Sequence, residues 1–291
     1  MYATIQFLNG LSYGLSLFLV AAGLTIVFGV LRILNFAHGA FYMLGGYVAY
    51  QVVQQVGLGG GGFWLAVAVS GLVLAVVAAG IEWAMLRRLY DRDPIYQLLF
   101  TFALVLLIGD VVRYIWGTQV ISISFPPELR GAADLGIAWY PRYRLFLCVV
   151  GVVVAVGIWF LFQRTRIGRV IRAATQDREM LSALGVNVPM VYLLVFTGGA
   201  ALAGIGGALA APALALKPGM DAEIIVECFI VIIIGGLGSL WGAFIGAILI
   251  GQLRAIGVYF VPEWEIALIY LLMIAVLVVR PWGLFGRPLT R

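Results

Sequence analysis

The chain reads as an all-α, polytopic membrane helix bundle, and three observations lead there. Hydrophobic residues fill 64% of its 291 positions. Charged residues fill only 11%, against about 25% in an ordinary soluble domain. The charges also gather between apolar runs of about 20 residues, the length a helix needs to cross a bilayer. The net charge of +5 comes from arginines beside those runs. That is the positive-inside pattern, and no basic patch with interleaved aromatics points to nucleic acid. Cys148 and Cys228 both fall inside apolar runs and read as buried free thiols, marking no redox compartment. The first residues carry no basic segment or small-residue cleavage site, so the first apolar run is expected to stay as a span.

Taken in order, the first run is 5–31, uncharged until Arg32. After RILNFAHG the second run is 36–56. GLGGGG (57–62) is a turn, and 63–86 is the third span. RRLYDRD (87–93) separates it from the fourth, 95–116. A longer loop, 117–144, holds Pro126, Pro127 and Pro141 and the interfacial aromatics Trp139, Tyr140 and Tyr143. The fifth and sixth spans are 145–162 and 189–216. The last third is less regular. Residues 224–234 are apolar but short, GGLGS follows at 235–239, and 240–253 continues before a final span at 262–279.

Charge sets the expected orientation. No Lys or Arg precedes Arg32, while RRLYDRD, the 164–188 segment and the tail with Arg280, Arg287 and Arg291 carry positive charge. This predicts the N-terminus outside and the C-terminus inside, hence an odd number of crossings. One crossing by 224–253 would break that parity. The stretch is therefore expected to be a broken, re-entrant pair of half-helices joined at GGLGS, buried in protein or lining a cavity, rather than one long helix. The count is about eight membrane segments.

The longest charged segment between apolar runs is RTRIGRVIRAATQDREMLSALGVNV, 164–188. From Val170 to Leu184 its pattern is helical. Val170, Ala173, Ala174, Met180, Leu181 and Leu184 can share one face, with Arg172, Gln176 and Glu179 on another. Gly185 stands where a helix cap takes glycine, and Pro189 opens the next run. Such an element lies on lipid headgroups or docks on a soluble partner. Its alanine-rich face is slight for lipid and fits a protein groove better.

Residues that could carry chemistry are few. His38 is the one histidine, without metal-ligand spacing around it, and GGLGS has neither the lysine nor the strand of a phosphate-binding loop. Asn35 can cap the second helix, while His38 can pack, hydrogen-bond or relay a proton. Gly45 and Gly46, flanked by Tyr42 and Tyr50, leave room either for a ligand or for a close helix. Small residues at spacing four, Ala200, Gly204 and Ala208, and again Gly242 and Gly246, point to tight helix packing. Glu82 is within reach of Arg87, and Asp110 of Arg113. Asp221, Glu223 and Glu227 form an acidic group. Glu227 is the deepest, a functional candidate that could equally cap or pair with Lys217 or Arg254.

Four motifs occur in a familiar order: NFAHGAFYMLGGYVAY at 35–50, the 164–188 segment, IGGLGSLWGAFIGA at 234–247 and RPWGLFGRP at 280–288. With them the chain resembles the LivH-type permeases, the membrane subunits of branched-chain amino acid ABC importers. The resemblance covers nearly the whole chain. Where relatives often carry a carboxylate after the His-Gly pair, this chain has Ala40.

The resemblance implies a single transmembrane permease domain, 1–291, of the ABC importer type, with 164–188 as its cytoplasmic coupling segment. Arg172, Ala173, Ala174, Asp177, Arg178, Glu179, Leu184 and Gly185 would then sit in an ATPase groove. Asn35, His38, Tyr42, Gly45, Gly46, Glu227, Gly235, Gly236 and Gly238 would line the translocation path. Implied partners are a second, LivM-like permease, two cytoplasmic ATPases, a periplasmic solute-binding protein and the lipid bilayer of a bacterial inner membrane. The chain is expected to bind no cofactor and catalyse nothing, with ATP on the partner subunits. Other cargoes of the same superfamily are urea, an amide or a small carboxylate. The competing readings are an ion-coupled secondary carrier, which needs a titratable cluster at mid-membrane, and a membrane enzyme.

Overall fold

The computed structural model describes residues 2–59, 61–134, 136 and 139–286. Arg287 and Arg291, to which part of the charge argument belongs, lie outside them. The apolar runs become helices α1 (Tyr2–Leu31), α2 (Ala37–Val56), α3 (Gly62–Ala84), α4 (Pro94–Trp116), α5 (Arg142–Arg164), α8 (Val188–Ala210), α9 (Met220–Gly235), α10 (Leu240–Phe260) and α11 (Glu265–Val279). Two short helices, α6 (Arg166–Gln176) and α7 (Arg178–Ala183), fill the charged segment. Among the described residues seven helices have the length and hydropathy to cross a membrane. The strands β1 (Ala132–Asp134) and β2 (Trp139–Pro141) form an antiparallel hairpin within the long loop.

Several helix starts are set by short polar side chains that take up the first amides. The Asp93 carboxylate accepts from Ile95 N at 2.9 Å ahead of Pro94, which needs no amide partner. The Asn187 amide accepts from Met190 N at 3.1 Å, and the Ser239 hydroxyl from Gly242 N at 3.1 Å.

The chain divides into two compact units: 1–25, 125–155 and 226–291 form unit 1, and 26–124 and 156–225 form unit 2. In unit 2, α2, α3 and α8 pack on one another with α4 against α2. In unit 1, α1 runs antiparallel to α10. A Cβ on Gly14 would press on the backbone of Ala247 and Ile248, and one on Gly251 would overlap the backbone of Gly10. The Asn9 side chain ties α1 to the start of α5, accepting from Arg144 at 2.6 Å and from Tyr140 at 3.2 Å.

The expected break at GGLGS is present, and of the two helices it joins α10 is longer than a half-helix while α9 is not among the helices long enough to span. α9 has 16 residues and α10 has 21. At about 1.5 Å per residue α10 is about 30 Å long, enough to cross a bilayer core alone. The two form an antiparallel hairpin, so close that a Cβ on Gly235 would overlap the Gly242 backbone. The segment after α11 closes the turn: Leu284 N and Phe285 N donate to the carbonyls of Ile234 and Gly235 at 2.8 and 3.0 Å. The turn therefore lies at the end of α10 where α11 also finishes. Charge parity could not separate the two arrangements, because a re-entrant pair and a pair of crossings both leave the count odd. One further expectation is corrected: Cys228 is buried but Cys148 is only half-buried, and both are free.

Candidate functional site

Three places gather the residues singled out by sequence. The first is the seam of α2, α8 and α3 in unit 2. A Cβ on Gly45 would overlap the Gly204 backbone, and one on Gly207 would overlap the Tyr42 carbonyl. Gly46 faces Leu216, whose side chain would lie 2.7 Å from an added Cβ. Ser70 on α3 donates to the Gly45 carbonyl at 2.9 Å. Tyr42 is buried, and so are Asn35 and His38 ahead of it. Gly45 and Gly46 thus serve close helix packing within this chain. The Asn35 side chain does not cap α2: the N-cap is Phe36, without a side-chain bond, and Asn35 contributes only its backbone carbonyl, to His38 N at 3.3 Å.

The second place is a charged cluster in unit 1, which sequence spacing does not reveal because its members come from four helices. Arg254 on α10 bonds Glu227 on α9 at 2.8 Å and Glu265 on α11 at 2.6 Å. Its guanidinium lies 4.4 Å from the ring centre of Tyr13 on α1, a cation–π distance. The Tyr13 hydroxyl bonds Glu227 and Arg254. Of the two partners open to Glu227 in sequence, Arg254 is the one taken, and Lys217 pairs with Glu223 at 2.7 Å. Gly235, Gly236 and Gly238 lie in the α9–α10 turn instead. Gly236 and Gly238 have φ of +105° and +79°, which an L side chain adopts only with strain, and Gly236 also abuts the backbone of Gly286.

Elsewhere Asp110 and Arg113 pair at 3.0 Å as their spacing predicts. Glu82 accepts from the Tyr90 hydroxyl at 2.8 Å. Burial first, then that carboxylate, push the Tyr90 hydroxyl far above the usual tyrosine range.

The third place is the 164–188 segment. The single helix expected from 170 to 184 is two helices, broken at Asp177. Thr165 caps α6 by accepting from Gly168 N at 3.1 Å. The Asp177 carboxylate accepts from Glu179 N at 3.0 Å and Met180 N at 2.9 Å, which starts α7 afresh. An aspartate that takes the amides of the following turn competes with helix continuation. Gly185 ends α7 at φ +82°. Its N–H reaches the Ser182 carbonyl at 2.9 Å and Val186 N reaches Leu181 O at 3.3 Å, a Schellman cap.

The shared face is also corrected. Ile171, Ala174 and Leu181 are buried within unit 2, whereas Met180 and Leu184 are 64% and 75% exposed. The break turns α7 away from the register of α6. Asp177, Arg178 and Glu179 are exposed, and Arg172 and Ala173 are half-buried. A single-helix period could not find this; the D-R-E-M run after Gln176, which carries a capping aspartate, could have.

With this geometry in view, the comparisons with known proteins are specific. Residues 6–277 match the family model described as "Branched-chain amino acid transport system / permease component". The chain belongs to that family. It is 28% identical to the high-affinity branched-chain amino acid permease protein LivH of Escherichia coli K12, over 99% of this chain and 97% of that protein. The permease protein BraD of Pseudomonas aeruginosa is also 28% identical, over 97% and 95%. LivM of Salmonella typhimurium is 26% identical over 94% of this chain and 68% of its own length. No solved structure matches the chain. Family membership and the apolar helices together make this a multi-pass membrane permease.

Proposed function

We propose that the chain is the transmembrane subunit of an ATP-driven importer of small amino acids, with branched-chain ones first among them. It works in a bacterial inner membrane beside a second, LivM-like permease. Two cytoplasmic ATPases and a periplasmic solute-binding protein complete the importer. The observation that carries this is the end-to-end match to LivH and BraD.

The α6–α7 element supports it. Its inner face is held by the chain itself, and its outer face leaves Asp177, Arg178, Glu179, Met180 and Leu184 exposed. That mixture of charge and exposed apolar side chains suits a protein groove, the charges fixing register and the apolar residues adding contact area. Domain 1–291 acts as one permease domain with 164–188 as its coupling segment.

The experiment is co-expression with candidate ATPase and binding-protein subunits, purification, and ATP hydrolysis in proteoliposomes. The expected outcome is a stable complex whose hydrolysis rises when solute-loaded binding protein is added. Uptake that proceeds without ATP and follows an ion gradient would overturn the proposal in favour of a secondary carrier. The Tyr13–Glu227–Arg254–Glu265 cluster is where such a carrier would act, but its arginine already answers both carboxylates.

A further inference from the structure

α2 does not begin where a membrane helix ordinarily begins. Its first turn, Ala37 to Ala40, is buried throughout. Two contacts within unit 2 fix its level. Thr101 donates to the Leu34 carbonyl at 3.2 Å. Thr101 is well inside α4, which starts at Pro94, so about 10 Å of that helix precedes it. On the other side Gly39 meets α9: an added Cβ would overlap the Asp221 carbonyl and lie 2.9 Å from Ile225 Cβ. The positive end of the α2 dipole is therefore inside protein, at membrane depth, and its N-cap residue Phe36 supplies no side-chain acceptor. One residue ahead, Asn35 is 1% exposed and its amide oxygen Oδ1 is enclosed without a hydrogen-bond partner. An enclosed acceptor left unmatched costs about 1–3 kcal/mol, so its retention beside a buried helix start calls for a donor.

We propose that Asn35 and the first turn of α2 form a binding step for a zwitterionic solute, an α-amino acid, on its way through the membrane. The solute carboxylate meets the first-turn amides of α2 that remain open once His38 N has bonded the Asn35 carbonyl, as anions do at helix N-termini. Its ammonium donates to Asn35 Oδ1. A helix start alone selects any anion, and an amide oxygen alone selects any donor. A solute that carries both satisfies both. Urea and simple amides bring donors without an anion, and 2-oxo acids bring an anion without an ammonium. The first turn of α9 closes the step at Gly39. This deepens the importer reading above and depends on it.

The test uses the purified permease–ATPase complex without its binding protein, so that only the membrane part selects. Thermal unfolding is followed with millimolar leucine, its 2-oxo analogue 4-methyl-2-oxopentanoate, or urea. Leucine is expected to raise Tm, and the other two are not. In Asn35→Leu, which keeps the side-chain branching and removes the acceptor, the leucine shift is expected to vanish and uptake, measured in proteoliposomes with the binding protein restored, to fall about ten-fold at limiting leucine, the equivalent of about 1.4 kcal/mol. ATPase assembly is unchanged, and Asn35→Ser, which restores an oxygen, recovers part of both signals. If Asn35→Leu does not fold, the ligand comparison on the parent complex decides. Equal shifts with leucine and its 2-oxo analogue, or none with leucine, overturn the proposal, as does uptake in Asn35→Leu within about two-fold of the parent. These results leave the importer reading standing. That reading fails separately, if no ATPase complex forms.

Discussion

Gly45 shows what a single residue decides in this chain. Its missing side chain lets α2 rest on the Gly204 backbone while Ser70 bonds its carbonyl. Gly45→Val is therefore expected to force two backbones apart, at the upper end of the about 1–3 kcal/mol typical of overpacking. Gly80, with nothing within 4 Å of an added Cβ, is expected to tolerate Gly80→Ala with Tm unchanged or slightly raised. Thermal unfolding of the two variants in detergent checks both; equal Tm values would remove Gly45 from the seam. Arg254 makes the opposite case. Arg254→Leu leaves Glu227 and Glu265 facing each other in a partly buried site, and loss of one partner from a buried pair costs about 3–5 kcal/mol. Adding Glu227→Gln and Glu265→Gln to Arg254→Leu should recover much of the folded yield, measured by size-exclusion recovery after extraction. No recovery would mean that the arginine acts through packing instead. Small residues at spacing four were legible in the sequence because helix periodicity exposes them. The identity of each opposing glycine was not, since Gly45 and Gly204 stand far apart in the chain. Nor was the sharing of Arg254 between two carboxylates, because spacing reports one helix at a time.

Among the elements, the α6–α7 pair depends most on local chemistry. Asp177→Ala removes the cap of α7, a loss of about 1 kcal/mol, and should fuse or fray the two helices. Gly185→Val forces a branched side chain into the left-handed region, at about 1–2 kcal/mol. Both variants are expected to insert normally and to lower the ATPase activity that loaded binding protein stimulates. Glu179→Ala keeps the cap and should lower solute moved per ATP instead. Uptake and hydrolysis measured in the same proteoliposomes separate these outcomes, and parent-like ratios in all three would place coupling elsewhere. Ala174→Arg is a poor probe of docking, because Ala174 is buried within its own unit. Helix existence and most boundaries were legible, since apolar runs and caps such as Asp93–Pro94 are local signals. The α9–α10 hairpin was half legible. GGLGS announced the turn, but the length of α10 was hidden by Gln252 and Arg254, which truncate its apolar run while the helix continues to Phe260.

At the scale of the whole molecule, orientation is the property that charge argues and geometry leaves to measurement. Single cysteines at Ser182 and Glu128 decide it in intact cells. The first should resist a membrane-impermeant thiol reagent and the second should react, with Cys148 and Cys228 replaced by serine beforehand. The reverse pattern would invert the topology and remove α6–α7 from the ATPase side. The two compact units add a different constraint. The boundaries 25/26, 155/156 and 225/226 fall inside α1, α5 and α9, and only 124/125 falls in a loop. Unit 1 is assembled from three separated stretches of chain. No contiguous gene fragment encodes it. A chimaera that exchanged this half with a relative would need splices within three membrane helices, each keeping the helical phase. Recombination can trade such a protein whole, or residue by residue, far more readily than by halves.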